Sequence, residues 1–221
     1  MNEIITGFLM GSSNIIIGHP FDTIKVLIQN KQKWYGFPIK NYYNGWKYPL
    51  LFSTIFYCTS FPLVEKTNLY TTNYWLSGFI SGSLLFPIEF IYNIGKIKQQ
   101  TLQNLSFSSF YKTRGIYSTF LKESLSTSIY FGTYYEMKNK NFNPLISGGM
   151  AGLMSCSFTY PLDVIRTRQI TQNIFIVDAL KEGNMWDGYK ICAFRAILLN
   201  GVNFWVYESV RECLYEEMVW V

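Results

Sequence analysis

The stretch YPLDVIRTRQ, residues 160–169, recurs in altered form as HPFDTIKVLIQ at 19–29 and as PIEFIYNIGK at 87–96. Aligned on Pro20, Pro87 and Pro161, each copy carries an acid two residues on: Asp22, Glu89 and Asp163. Gly11, Gly78 and Gly152 stand nine residues before the prolines, and Lys25, Tyr92 and Arg166 five residues after. A second register follows. Gly45, Gly115 and Gly188 each precede an aromatic by 16 residues, namely Phe61, Phe131 and Phe204. Four residues beyond lie Glu65, Tyr135 and Glu208, and three further on Asn68, Lys138 and Arg211. Self-similarity of this kind marks a repeat architecture. It divides the chain into 1–68, 69–141 and 142–221, each an odd-numbered helix with proline then acid, a polar loop, and an even-numbered helix returning.

The helices are long and short of charge. Segments 4–21, 48–64, 67–88 and 141–162 contain no Asp, Glu, Lys or Arg. Segments 116–135 and 191–207 would join them but for Lys122 with Glu123 and for Arg195. A bilayer is crossed by about 20 residues of helix, and backbone groups in lipid must be satisfied internally. Charged residues make up 15% of the 221, against about 25% in a soluble domain. Mean hydropathy is only slightly positive, and every segment mixes Ser, Thr, Asn or Gly among its apolar residues. Such helices face lipid on one side and a polar interior on the other. A soluble bundle with six such helices would have too little polar sequence to coat itself. The expected fold is an all-α membrane protein with six transmembrane helices, arranged as three pseudo-threefold-related helical hairpins.

Composition excludes several classes of function. The net charge of +5 is not gathered into a basic stripe for nucleic acid. His19 is the single histidine, and Cys58, Cys156, Cys192 and Cys213 lack ligand spacing, so no metal site and no histidine-based triad is expected. No nucleophile–base pair or phosphate loop appears, and the chain is not expected to be an enzyme or to need a cofactor. The first residues lack the basic and cleavage features of a signal peptide.

The three proline segments resemble the Pro-x-[Asp/Glu]-x-x-[Lys/Arg] motif of the mitochondrial carrier family. FWVYESVR at 204–211 is similar to that family's second motif, [Phe/Tyr]-[Asp/Glu]-x-x-[Lys/Arg]. GHPFDTIKV and PLDVIRTR look most like the branch that carries carnitine and basic amino acids, and the Arg-rich hexapeptide of nucleotide carriers is absent. The resemblance implies two rings of ion pairs that close a central cavity alternately. Residues two and five after each proline share a helix face, and the proline bends the helix by removing a hydrogen bond. If each acid meets the base of the next repeat, the matrix-side ring pairs Glu89 with Arg166, Asp163 with Lys25 and Asp22 with Tyr92, braced by Gln29. The cytoplasmic-side ring pairs Glu65 with Lys138, Tyr135 with Arg211 and Glu208 with Asn68. Both rings are incomplete by the family pattern.

Charges in the middle of a span are costly and usually functional. Seven and eight residues after the second-register glycines lie Phe52–Ser53, Lys122–Glu123 and Arg195–Ala196, at one depth by symmetry. The resemblance makes this level the substrate zone. Lys122 and Arg195 suit a carboxylate and Glu123 an ammonium, which implies a small zwitterion, a basic amino acid or a carnitine-like metabolite. An internal Lys122–Glu123 or Glu123–Arg195 pair locking the bundle is the competing use of these charges.

The loops are reduced. Only 30–44 separate Gln29 from Gly45, and 97–114 is similarly short, whereas 171–187 keeps a surface helix around IFIVDALKEG at 174–183. The family's aromatic-base-glycine cue before the even helices survives at Arg114–Gly115 but not at Asn44–Gly45 or Asp187–Gly188. The resemblance implies contacts with cardiolipin as a bound lipid, and these losses weaken them. Of the 19 Lys and Arg, 12 fall in the expected odd-to-even loops, from Lys31 to Lys190, with Lys96, Lys98, Arg166 and Arg168 among them. The positive-inside rule then puts those loops in the matrix and both termini in the intermembrane space. The function expected is a mitochondrial inner-membrane carrier working by alternating access. The alternative is a transport-inactive carrier-fold subunit of a respiratory-chain complex, which would take other inner-membrane subunits as partners.

Overall fold

The computed structural model describes residues 2–36, 38–104, 113–196 and 198–199, and the side chains of 2–14, 51–58, 61, 144 and 145 fall outside that description. The side chains of Phe52 and Ser53, and all of 204–211 with Glu208 and Arg211, therefore lie outside the described residues. The described backbone is helical, with no strand among the described residues. In chain order the helices are α1 (Asn2–Gln29), α2 (Ile39–Tyr42), α3 (Lys47–Thr71), α4 (Tyr74–Gln100), α5 (Ile116–Asn139), α6 (Pro144–Gln172), α7 (Ile176–Lys181) and α8, which begins at 189 and is described to 196.

The expected segment 67–88 is not one helix. Thr72 takes a left-handed φ of 54° and ends α3, and Asn73 caps α4 by accepting a hydrogen bond from Trp75 N at 2.9 Å. Among the described residues, only α4 is by itself both long and apolar enough to cross a bilayer. Lys96 and Lys98 lie inside α4, and Arg166 and Arg168 inside α6, so these four bases belong to helix ends rather than to loops.

The long helices form a closed ring. α3 packs on α1 and α4, α4 on α5, and α5 on α6. α8 closes the circle: Ser157 of α6 meets Tyr189 Oη at 2.7 Å, and Phe21 of α1 packs edge-on against Phe194. The α4–α5 contact brings backbone against backbone. A Cβ on Gly78 would sit 2.7 Å from Thr127 O, and one on Gly82 2.7 Å from Glu123 O. Two glycines one turn apart thus let the backbones touch.

Pro20, Pro87 and Pro161 lie within α1, α4 and α6, and Pro62 within α3. A proline leaves the carbonyl four residues earlier without its helical donor. For Pro20 that carbonyl is Ile16 O, which accepts from Tyr43 Oη at 2.8 Å. Gly45, Gly115 and Gly188 have φ of 85°, 118° and 81°, a conformation that glycine adopts without steric cost. His19 and Tyr160, each just before a proline, bond the carbonyls of Asn44 and Asp187, each just before one of those glycines, at 2.9 and 2.8 Å. Phe86 holds the corresponding place in the middle segment and has no polar group to offer. It packs edge-on against Phe120 instead.

Polarity is distributed inside out. Thr23, Gln29, Ser77, Ser81, Gln100, Thr119, Ser124 and Arg168 are all fully buried, whereas Ile16, Leu84 and Phe158 are exposed by 60% or more. Apolar residues still pack in local clusters, such as Val26, Phe90, Ile94, Ile97 and Ile170 where α1, α4 and α6 meet.

Candidate functional site

The ring encloses a cavity of about 420 Å³. Every long helix contributes to its wall: Lys25 from α1, Ser60 from α3, Glu89 from α4, Lys122 and Glu123 from α5, Asp163 from α6 and Arg195 from α8. Tyr130 and Phe131 line it roughly two turns along α5 from Glu123.

Ion pairs cross the ring at the end nearest the odd-to-even connections. Lys25 Nζ lies 2.5 Å from Asp163 Oδ2 and joins α1 to α6. Asp22 receives Lys96 of α4 and Arg195 of α8, each at 2.8 Å. Arg166 reaches Asp163 at 2.5 Å on its own helix and Glu123 of α5 at 2.8 Å, while Lys122 approaches Glu123 at 2.9 Å. Gln29 Nε2 donates to Asp163 Oδ2 at 3.1 Å, beneath the Lys25–Asp163 pair. These groups are largely shielded from solvent, so each attraction is offset by a desolvation cost of similar size. The network can hold one arrangement without making it irreversible.

Two of the pairings expected from the repeat pattern are replaced. Arg166 does not pair with Glu89, because its two terminal nitrogens are taken by Asp163 and Glu123. Asp22 takes Lys96 and Arg195 in place of a neutral contact with Tyr92, and Lys96 also lies over the Tyr92 ring at 5.6 Å. Of the substrate-zone residues, Lys122, Glu123 and Arg195 do line the cavity, but all three sit in internal ion pairs.

The opposite end is built differently. Tyr135 Oη donates to Glu65 at 3.3 Å, while the Tyr135 ring stacks on Tyr74 with centroids 3.8 Å apart and lies under Lys138 Nζ, 5.6 Å from the ring centroid. No ion pair joins Glu65 to Lys138 among the described residues, and Asn68 accepts from Ser77 Oγ at 3.2 Å.

Arg168 is a residue whose role the repeat pattern does not reveal. Fully buried, it donates to Gln29 O at 3.0 Å, Ala179 O at 3.1 Å and Gly183 O at 2.7 Å, and its Nε lies 3.3 Å from Glu182. It thus satisfies carbonyls at the C-terminal ends of α1 and α7, which helices leave without partners. Lys96 was equally hidden, since it stands four residues beyond the motif's base position.

Residues 138–218 match the model of the mitochondrial carrier protein family. The chain is 27% identical to the mitochondrial arginine transporter of Arabidopsis thaliana, over 97% of its own length and 92% of that protein's. It is 26% identical to mitochondrial ornithine transporter 1 of Saccharomyces cerevisiae, over 94% of both chains. The mitochondrial basic amino acids transporter of Rattus norvegicus is 25% identical over 86% of this chain and 79% of its own. The chain is thus similar to mitochondrial carriers, and the relatives named here are transporters of basic amino acids. The chain is compact for such a match. Its alignment with the arginine transporter extends over 279 positions, more than its own 221 residues, so the relative has residues that this chain lacks. The four-residue α2 and six-residue α7 are the helices described in its loops.

Proposed function

We propose that this chain is a mitochondrial carrier that crosses the mitochondrial inner membrane six times, with both termini toward the intermembrane space, and exchanges a small basic amino acid by alternating access. The single observation that carries the reading is the cavity: six helices in a closed ring surround a space of about 420 Å³ lined by both acids and bases. That is within the range of small-molecule sites, roughly 300–1,000 Å³. The inside-out polarity supports membrane embedding, since exposed Leu84 and Phe158 suit lipid and buried Ser and Thr suit a polar interior. The three hairpins, 1–68, 69–141 and 142–221, are our units for the motion. Equivalent left-handed glycines and equivalent pre-proline hydrogen bonds support that division.

The ion-pair network supports a form closed toward the matrix, with Asp22, Lys25, Lys96, Asp163 and Arg166 as the closing groups. Opening that end requires these pairs to separate, and their near-balanced energetics make a small ligand sufficient to tip the exchange. At the other end, Glu65, Tyr135, Lys138 and Asn68 supply the groups of the second closure. Arg195 and Lys122 provide the cations for a substrate carboxylate. The names of the relatives support arginine or ornithine as the class of substrate.

The test is counter-exchange in liposomes. Purified protein reconstituted with internal arginine should take up labelled arginine or ornithine, and Arg195→Ala should abolish the uptake. Absence of exchange with any basic amino acid, together with stable co-migration with a respiratory complex on a native gel, would overturn the reading in favour of an accessory subunit.

A further inference from the structure

Among the described residues, three carboxylates line the cavity: Glu89, Glu123 and Asp163. Two are already matched by cations. Glu123 is held by Lys122 and Arg166, and Asp163 by Lys25 and Arg166. Glu89 differs. Its carboxylate accepts one hydrogen bond, from Asn93 Nδ2 at 3.3 Å one turn along α4, and no lysine or arginine among the described residues lies within 4 Å of it. A partly buried carboxylate keeps acceptor positions for several donors, and leaving them without a cation in a low-dielectric interior is costly. The cost persists where a ligand offsets it.

We infer that Glu89 is the residue that receives the side-chain cation of the substrate. The inference rests on the proposed transport of a basic amino acid and names the group that selects it. Sequence symmetry points instead to Glu123, but Glu123 is engaged by two internal cations and would have to surrender one of them first. Glu89 requires no such exchange. It faces the same cavity as Lys122 and Arg195, whose pairs with Glu123 and Asp22 open to take a substrate carboxylate, so a molecule with a carboxylate at one end and an ammonium or guanidinium at the other has a partner for each end. A neutral side chain of the same shape would leave Glu89 uncompensated, and this gives the site its discrimination.

The experiment compares L-arginine with L-citrulline, its uncharged isostere, as substrates of the full-length protein in liposomes, with thermal stability in detergent as a parallel readout. Wild type should prefer arginine by at least about tenfold, the scale of one charge-assisted contact. Glu89→Gln should raise the KM for arginine by a similar factor and bring the two substrates level, while Glu89→Asp keeps the preference. If Glu89→Gln transports arginine over citrulline as wild type does, Glu89 is no substrate ligand and the inference falls while the transport reading stands. If wild type takes up no basic amino acid, the transport reading falls and the inference with it. Should Glu89→Gln fail to fold, Glu89→Asp decides. Withdrawing the carboxylate by one methylene should shift selection from ornithine toward the longer arginine, and an unchanged ratio would overturn the assignment.

Discussion

Lys96 Nζ lies 2.8 Å from Asp22 Oδ2, one helical turn past Tyr92, the position at which the first and third segments carry Lys25 and Arg166. Positions four apart share a helix face, and the flexible lysine stem covers the remaining offset. The link between α1 and α4 is therefore present although the motif lacks its base. Lys96→Met should lower the initial rate of arginine exchange by about tenfold, in line with the loss of one charged hydrogen bond. Tyr92→Phe should stay close to wild type. The double variant Tyr92→Lys/Lys96→Met returns the base to the motif position and should recover much of the rate. Undiminished exchange by Lys96→Met would remove this pair from the transport cycle.

Much of this arrangement was legible in the sequence, and the parts that were not have physical reasons. The proline register singled out Asp22, Lys25, Asp163 and Arg166, all of which enter ion pairs. A fixed spacing from a proline fixes a helix face, which brings these four to one end of the ring. The register could not show where Arg166 would turn, since Asp163, Glu123 and Glu89 are all plausible acids for one guanidinium and only packing chooses among them. It missed Lys96 because a side chain of that length tolerates a shift of one turn. It assigned Arg168 to a loop because charge alone suggests solvent, whereas the carbonyls of Gln29, Ala179 and Gly183 make a buried site for it. The break at Thr72–Asn73 fell within an uncharged stretch, where hydropathy gives no punctuation and the cap at Asn73 supplies it.

The α4–α5 seam should be intolerant of added volume. A Cβ at Gly78 or Gly82 would meet backbone atoms, Thr127 O and Glu123 O respectively, each at 2.7 Å, and backbone gives way less readily than a side chain. Gly82→Ala should cost about 1–3 kcal/mol of stability, and Gly82→Val more. The same change at Gly148, where nothing among the described residues lies within 4 Å of the added atom, serves as control. Thermal unfolding in detergent is the measurement. Equal melting temperatures for Gly82→Ala and Gly148→Ala would mean that the helices are not in close backbone contact.

Arg168 should matter to stability rather than to substrate choice. Its removal leaves the carbonyls of Gln29, Ala179 and Gly183 without a buried donor, a loss on the order of 3 kcal/mol. Lysine cannot present several donors in a planar fork, so Arg168→Lys should recover only part of it. Both variants should keep the wild-type ratio of arginine to citrulline uptake in whatever protein remains folded. A changed ratio at unchanged melting temperature would mean that Arg168 communicates with the cavity.

Cys156 Sγ and Cys192 Sγ lie 2.8 Å apart and bring α6 against α8. Both are free thiols, Cys192 is buried, and Cys156 lines the cavity. A trivalent arsenical such as phenylarsine oxide exchanges its oxygen for two thiolate sulfurs and releases water, so it bridges two thiols but is held only weakly by one. Bridging here would tie α6 to α8 beside Lys25 and hinder any motion that moves one helix relative to the other. Phenylarsine oxide should therefore inhibit exchange, and a dithiol should reverse the inhibition where a monothiol does not. Cys156→Ser and Cys192→Ser should each abolish it, because either change leaves a single thiol at the site. Both variants retain Cys58 and Cys213, so inhibition that survives in both would place the reactive thiols elsewhere in the chain and show that the α6–α8 contact stays fixed during transport or is out of the reagent's reach.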